Sequence, residues 1–299
     1  MPMLDLHRLR LLRELKHRGT LAAVAEALSY SPSSISQQLS VLEKEAGVAL
    51  LEPVGRRVRL TAQAEILVAH TEAVLERLER AEADLAASLR GITGVLRVAA
   101  FQTAALALVP DALGALRDAH PRLRVEVTQR EPESAIPALL ARDFDVVITE
   151  EYPGDPSPRP AGVEYAELGE DEITLALPEP APPGAGLRDL AETPWVMEPE
   201  GTASRRWATR LCRAAGFEPD VRFESTDLLL HLRLAERGHA AALLPGLVWS
   251  GGPPAIPVVR LPEDDRIRRL FTATRRGGGS HPAVRAFRDA LADAFAHRG

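Results

Sequence analysis

In the stretch PSSISQQ (32–38), Pro32, Ser33, Ser34, Ser36, Gln37 and Gln38 bring together a helix-starting proline and a run of small hydroxyl and amide groups. Hydroxyls and amides both donate and accept hydrogen bonds, which suits them to base-pair edges in a major groove, where each pair shows its own donor and acceptor pattern. The apolar residues of this segment, Ile35, Leu39 and Leu42, recur at helical spacing and so face the opposite way. Upstream, Leu21, Val24 and Leu28 recur in the same manner. Between the two patterns Ser29-Tyr30-Ser31 makes a turn, and Pro32 suits the first position of a new helix. Two helices joined by a tight turn, the second carrying hydrogen-bonding residues, is the helix-turn-helix arrangement. A solvated helical hairpin is the plain alternative.

After Gly47 the segment VALLEPVGRRVRLT places apolar Val48, Leu50 and Leu51 before a turn at Gly55, and Arg56-Arg57-Val58-Arg59-Leu60 returns as a short strand. A basic hairpin directly after such a helix reads as the wing of a winged-helix domain. Arg56 and Arg57 there suit phosphates and a narrow, electronegative minor groove. Residues 1–60 hold nine Lys+Arg against six Asp+Glu, a balance of +3, whereas the whole chain stands at −6. That asymmetry fits a nucleic-acid module joined to an acidic partner domain. The acidic total is no obstacle, because binding depends on the local field.

Residues 6–61 resemble the N-terminal domain of LysR-type transcriptional regulators. The resemblance is carried by an apolar first helix (Leu9, Leu11, Leu12, Leu15), by Gly19-Thr20 before AAVAEAL, and by Ser36 and Leu39 in the second helix of the pair. It continues through Leu42-Glu43, Gly47, Leu50-Leu51 and the Arg57…Leu60-Thr61 exit. It implies double-stranded DNA as a partner, met by the 32–38 face and by Arg56 or Arg57. The chain departs from the family pattern at Leu51, where Phe is usual, and at Pro53-Val54, where Arg is usual. It departs again near Gln37, where an Arg is usual, and near Ala64, where a Gly is usual. These departures are read as altered sequence preference and wing shape, with the fold retained.

No set of residues assembles a catalyst. There is no Gly-rich phosphate loop of the Walker type, no GxSxG and no HExxH, and the eight histidines are scattered. No enzyme activity, metal or cofactor is therefore expected. The single cysteine, Cys212, excludes an internal disulfide and lies in the helical pattern WATRLCRAAG, which suits a buried structural thiol, with a redox sensor as the alternative. No stretch approaches the length of a membrane span, and Met1-Pro2-Met3-Leu4-Asp5 has no apolar signal core. A cytoplasmic protein with no membrane partner is expected. With 299 residues and 45% hydrophobic content, two or three packed units are expected.

Residues 61–89 hold the longest helical pattern, with Thr61 as its cap and no Gly or Pro before Gly91. Leu67, Val74 and Ala81 repeat every seventh residue, and Thr71, Leu78 and Leu85 form a companion row, flanked by Glu76, Arg77, Glu79 and Arg80. This spacing predicts a helix that pairs with a second copy through Leu67, Val74, Leu78, Ala81 and Leu85. Packing on its own domain is the alternative, although such a helix spans ~43 Å, long for so small a head. Pairing lets two heads read two half-sites. The family resemblance adds tetramers, so a homodimer or homotetramer is expected.

Beyond Gly94 strands and helices alternate. Segments 95–101, 123–129 and 144–149 read as strands around helices at 103–119 and 133–142, a βαβαβ unit with a parallel sheet. After a Pro/Gly-rich span at 152–162, a second set runs over 163–265, with strands at 173–177, 195–197 and 240–244 and helices at 203–215 and 226–237. Segments 268–274 and 282–297 return to the first lobe. Two α/β lobes joined by crossovers resemble the periplasmic-binding-protein-like effector domain of the same family, and AERGHAAALLPGLV, with Gly238 and Pro245, matches one of its signatures. The expected fold is multidomain, α + α/β. A winged helix-turn-helix occupies 1–60, a dimerising linker helix 61–91, and a two-lobed effector domain 92–299. Lobe I takes 92–162 plus 268–299, and lobe II takes 163–267.

Ligands of open α/β sheets sit at strand C-termini, where helix N-termini offer free N–H groups and partial positive charge. Three loops meet that rule: Phe101-Gln102-Thr103-Ala104, Glu200-Gly201-Thr202-Ala203-Ser204 and Glu224-Ser225-Thr226-Asp227. Thr103, Thr202 and Thr226 read either as helix caps or as ligand contacts. Thr149-Glu150-Glu151 ends the third strand near the hinge, as carboxylates for a cationic group or as solvated surface glutamates. The expected effector site is Gln102, Thr103, Thr149, Glu150, Thr202, Ser204 and Thr226. Its ligand is expected to be a small carboxylate, or an amino acid whose amine meets Glu150. Arg205 either adds attraction for the anion or is an ordinary salt-bridged helix residue. The expected function is a sequence-specific DNA-binding regulator of the LysR type, modulated by a small molecule between the lobes. The competing class is a small-molecule receptor without regulatory DNA binding.

Overall fold

The computed structural model describes the chain except residues 1–3, 29, 56, 157–158, 161, 181–183, 250–251, 253, 255 and 299, and at 57 it describes the backbone alone. The head is built from α1 (Leu6–Arg18), α2 (Leu21–Leu28) and α3 (Pro32–Ala46). Their limits follow from their caps. Asp5 accepts from the Arg8 N–H at 3.0 Å and Ser31 from the Ser34 N–H at 3.1 Å, satisfying donors that the helices leave open. Gly19 and Gly47 end α1 and α3 in the left-handed region, at φ 77° and 70°. The hairpin of β1 (Leu51–Val54) and β2 (Arg57–Leu60) follows, with Leu51 opposite Leu60. Glu43 anchors it by accepting from the Leu50 and Leu51 N–H groups at 2.8 and 3.1 Å. Leu12, Leu15, Val24, Ile35, Leu39 and Leu42 form the head core, sealed by Leu50 and by Val68 of α4 (Ala62–Ser88). Thr61 caps α4, as expected, accepting from the Ala64 N–H at 3.2 Å.

The first lobe holds β3 (Gly94–Ala100), α5 (Gln102–Ala107), α6 (Val109–Ala119), β4 (Leu123–Gln129), α7 (Pro132–Leu140) and β5 (Val146–Glu151). The single helix expected over 103–119 is two helices. Pro110 lacks the N–H that would continue the ladder and its ring crowds the preceding turn, so the chain breaks at Leu108. β3 lies between β4 and β5 and is parallel to both. Next come β6 (Val163–Ala176), β7 (Pro194–Met197), α8 (Ala203–Ala214), β8 (Asp220–Glu224), α9 (Leu228–Glu236), β9 (Ala242–Pro245), β10 (Val258–Arg260), β11 (Ile267–Arg275) and α10 (Pro282–Ala296).

β6 differs most from expectation. It runs 14 residues where a strand over 173–177 is expected, and it serves both lobes. Its start, 163–167, pairs with 271–275 of β11 beside β5, while its end pairs with β9 and β10. The division expected at 162/163 therefore falls at the beginning of a strand shared by both lobes. Burial explains the sharing, since Val163 packs in a first-lobe core and Ile173 and Leu175 in a second-lobe core. In the first lobe, Phe287 and Leu291 of α10 cover one sheet face with Leu116, and Leu139 of α7 covers the other. Trp195, Trp207, Leu175 and Cys212 fill the second lobe. Burial pushes the Cys212 thiol up to about 12, with Glu218 adding to the rise, which leaves it an inert packing group.

α4 also ties the head to the first lobe. Its buried Glu79 pairs with Arg142 at 2.9 Å and with Arg275 of β11. Arg18 of α1 reaches Asp143 at 2.9 Å. Among the described residues no helix is long and apolar enough to cross a membrane.

Candidate functional site: the recognition face and the interlobe cleft

On α3 the helical period turns Ile35, Leu39 and Leu42 inward and leaves Ser33, Ser36 and Gln37 exposed, with Ser34 and Gln38 partly so. Ser40, one turn past Ser36, extends this exposed stripe; the i, i+4 spacing is the signal that reveals it. Pro32 holds the first helical position and is exposed. Gln38 differs from expectation, because its Oε1 accepts from Arg8 Nη1 at 3.2 Å while Arg8 also pairs with Glu45. Its amide is part of the clamp between α1 and α3, with only the NH2 left to donate. In the wing, Arg59 pairs with Glu52 at 2.6 Å. Arg56 lies outside the described residues, as does the Arg57 side chain.

The expected cleft residues do not form one open lining. Thr103 is buried and accepts from Arg268 Nη2 at 3.0 Å. Thr202 is a cap with its hydroxyl fully used: it accepts from the Arg205 N–H at 3.2 Å and donates to the Pro199 carbonyl at 2.9 Å. Thr226 does not cap α9; Asp227 does, accepting from the Leu229 N–H at 3.0 Å. Thr149 and Glu150, adjacent on a strand, point to opposite faces. Thr149 lines a cavity of about 520 Å³ with Glu133, Glu151, Tyr165 and Arg206. Arg205 follows its ordinary reading, donating to the Glu198 carbonyl at 2.9 Å and pairing with Glu224 at 3.4 Å.

Two of the three helix N-termini expected to be open, those of α8 and α9, are already occupied, while the start of α5 has no side-chain cap. Glu133 Oε1 accepts from the Ala203 N–H at 2.8 Å, at the start of α8. Gln102 Oε1 accepts from the Leu228 N–H at 3.0 Å, and its Nε2 donates to Asp227 at 2.7 Å, at the start of α9. Side chains of the first lobe thus satisfy one orphan donor at the start of each of two second-lobe helices and tie the lobes together.

Arg268 of β11 is the residue that local sequence reading misses. It is 1% exposed and bridges the lobes, with Nε and Nη2 donating to Asp171 at 2.9 and 2.6 Å and Nη1 donating to Glu150. Its guanidinium also lies over the Phe101 ring, 5.3 Å from the centroid. The Tyr152 hydroxyl donates to Glu150 Oε1 at 3.1 Å. The reading of Glu150 and Glu151 as solvated glutamates is therefore corrected. Both are buried, and Glu151 pairs with Arg159 and Arg269 at 2.9 and 3.2 Å. Asp171 stands opposite Arg268 in the β6–β11 ladder, a pairing that the register of the folded sheet reveals.

Two more carboxyls stand in this cluster, Glu131 ahead of α7 and Glu198 after β7. Burial pushes Glu131 up to about 7, and the charges of Glu150 and Glu133 add to the rise. Burial likewise pushes Glu150 up against the pull of Arg268, and it pushes Glu198 well up, with Glu150 and Glu131 adding. Between 4.5 and about 7 the folded chain keeps a proton at Glu131 that the unfolded chain has lost. Stability therefore falls as pH rises through that window, by up to about 3 kcal/mol from this group. The melting temperature is expected to rise from about pH 8 to about pH 6, and Glu131→Gln is expected to flatten that rise. A pH profile indifferent to this substitution would contradict the confinement of the carboxyl.

Known proteins match both halves of this architecture. Residues 6–65 fit the family described as "Bacterial regulatory helix-turn-helix protein, lysR family", and residues 89–296 fit "LysR substrate binding domain". The transcriptional dual regulator GltC of Bacillus subtilis (strain 168) is 26% identical over 242 residues, covering 81% of each chain. The HTH-type transcriptional regulator MetR of Salmonella typhimurium is 27% identical over 289 residues, 95% of this chain and 89% of the relative. A full-length OxyR variant from Pseudomonas aeruginosa shares the fold at a TM-score of 0.68 and 20% identity, covering 97% of this chain and 95% of that one. Full-length CbnR complexed with its target DNA shares it at 0.54 and 24% identity, covering 97% and 99%. With the helix-turn-helix head and the two-lobed domain both matched, the chain belongs to the LysR family of DNA-binding transcriptional regulators, with an effector-binding domain behind the head.

Proposed function

We propose that this regulator acts in the cytoplasm as a dimer or tetramer, reading duplex DNA with α3 while the wing arginines Arg56 and Arg57 hold the backbone. The observation that carries this reading is the exposed stripe of Ser33, Ser36, Gln37 and Ser40 on a helix whose opposite face is locked into the head core. Gln37, the longest of these side chains, is assigned to a base edge. Gln37→Ala is expected to relax preference at one base pair by about 1–3 kcal/mol while leaving other positions unchanged. Fluorescence anisotropy on a set of single-base operator variants measures this. A uniform loss at every variant would move Gln37 from base reading to backbone contact.

A small effector between the lobes is proposed to shift their closure, and its effect is exerted by control of DNA spacing rather than by catalysis. Support comes from the side chains that already bridge the cleft, Gln102 and Glu133, and from the ion pairs of Glu79 that tie α4 to β11. A change in lobe closure would reach the heads along α4, provided the ligand binds the two arrangements with different affinity. On α4 itself, Val74, Leu78, Ala81 and Leu85 are exposed in the protomer and form the proposed seam, whereas Leu67 packs on the head core and contributes less.

A further inference from the structure

We propose that the junction of the head, α4 and the first lobe holds a second regulatory site, which takes a small oxyanion such as phosphate or sulfate between Arg13, Arg142 and Arg276. Its lining shares no residue with the interlobe cleft, so it stands whatever the cleft binds.

The first observation is a cavity. About 200 Å³ lies where the three parts meet, walled by Arg13 of α1, by Glu72, Glu76 and Glu79 of α4, and by Arg142, Arg275 and Arg276 of the first lobe. That is several times the ~30 Å³ share of one water in the liquid, room for a five-atom oxyanion. The three glutamates lie across α4 from Val74, Leu78 and Leu85, so pairing through the proposed seam leaves the cavity clear.

The second observation is the charge around it. The carboxylates are already engaged: Glu72 faces His17 at 3.5 Å, Glu76 pairs with Arg80, and Glu79 holds Arg142 and shares Arg275 with Asp145. Arg13 is 5% exposed and has one described partner, Glu14 at 3.3 Å, a carboxylate that also holds Arg18 at 2.9 Å. Arg276 is exposed and has no ion pair among the described residues. Burial pushes the Arg13 guanidinium down from its ordinary value against Glu14 and Glu72, and the charges of Arg142 and Arg275 add to the fall. A guanidinium keeps its proton, so an arriving anion is what relieves this repulsion.

The third observation is a pair of open donors. Arg13 Nε and Arg142 Nε are both enclosed without a hydrogen-bond partner among the described residues. A buried donor left unpaired is costly, and more so on a charged group. Arg142 is also the one described non-glycine residue in the left-handed region, at φ 66°. Such a conformation is uncommon for a long side chain, and here it is kept where the guanidinium meets Glu79 and the cavity wall.

Arg13 belongs to the head, and Arg142 and Arg276 belong to the lobe. One oxyanion accepting from both sides draws them together through charge-assisted hydrogen bonds and favours the arrangement in which the head is docked on the lobe.

Calorimetric titration of the full chain with inorganic phosphate, sulfate and glycerol 3-phosphate, at ionic strength held constant with chloride, tests this. The expected result is saturable binding of at least one of them, weakened about tenfold or more by Arg13→Gln and by Arg276→Gln. Amide hydrogen exchange over residues 6–18 is expected to slow when the ion is bound. Arg276 is exposed, so its variant keeps the test open should Arg13→Gln unfold the head. Tighter binding of glycerol 3-phosphate than of phosphate assigns the site to the phosphate end of a metabolite, and the reverse order assigns it to the free ion. Absence of saturable binding by about 10 mM overturns the proposal. Binding that ignores both substitutions, as at the DNA-reading wing, overturns it too. Binding that both substitutions weaken without slower exchange over 6–18 overturns the regulatory role.

Discussion

Arg268→Met is expected to destabilise the effector domain by about 3–5 kcal/mol. The guanidinium is 1% exposed and donates to Asp171, Glu150 and Thr103 at once, joining the first-lobe strand β5 to β6, the strand shared by both lobes. Methionine keeps most of the side-chain volume, so the loss reports charge rather than a cavity. Glu150 and Asp171 then lie buried without a counter-ion, and the Glu150 carboxyl, already pushed up by burial, loses the pull of Arg268 that opposed the rise. Carboxyls shifted in that direction lose stability as pH rises, so the deficit is expected to be larger at about pH 8 than at about pH 5.5. Adding Asp171→Asn and Glu150→Gln to the methionine variant should recover much of it, because the orphaned charges disappear together with their partner. Urea unfolding at both pH values measures the effect. A deficit below about 1 kcal/mol, or one independent of pH, would mean that the bridge does not hold the lobes.

Leu78→Glu is expected to split the proposed dimer and to weaken binding to a two-half-site operator by about 10²–10⁴-fold. Val74, Leu78 and Leu85 are 46%, 39% and 67% exposed in the protomer and share the heptad rows of α4. Leu75 and Val68, on the other side of the same helix, are buried within the protomer. A glutamate in the seam would bury its charge or break the pairing, and breaking it is the cheaper course. With the heads separated, each half-site is bound alone and avidity is lost, while contacts within each head persist. Analytical ultracentrifugation at micromolar concentration, with anisotropy on single and paired half-sites, separates these effects. A variant that sediments with the wild type would place the seam elsewhere.

The head was legible because its signals are local. The Thr61 cap, the turn ahead of Pro32 and the periodic leucines each act within a turn or two of helix. The break between α5 and α6 was equally local, and Pro110 signals it. β6 was shortened because 163–172 reads VEYAELGEDE, a charged run whose strand character comes from the ladder with β11 a hundred residues later. The cleft was the least legible part for the same reason. Thr103, Thr202 and Thr226 could be named as local cap candidates, yet the groups that fill the helix ends arrive from afar, Glu133 onto Ala203 and Gln102 onto Leu228. Arg268 and Asp171 pair across 97 positions, a match that only the folded sheet brings into register. Gln38 was misjudged by a similar margin, since Arg8 of another helix claims its carbonyl.

Sequence-specific DNA reading by α3 is tested most directly by selecting duplexes from a random pool with the full-length chain and measuring the affinity of the winners against salt. The predicted result is a two-fold symmetric consensus, its half-sites centred about 10–10.5 base pairs or a multiple apart. The logarithm of its affinity should fall linearly with the logarithm of salt concentration, and one position of each half-site should lose its preference in Gln37→Ala. Recovery of no common sequence, or of a consensus untouched by Gln37→Ala and Ser36→Ala together, would contradict it.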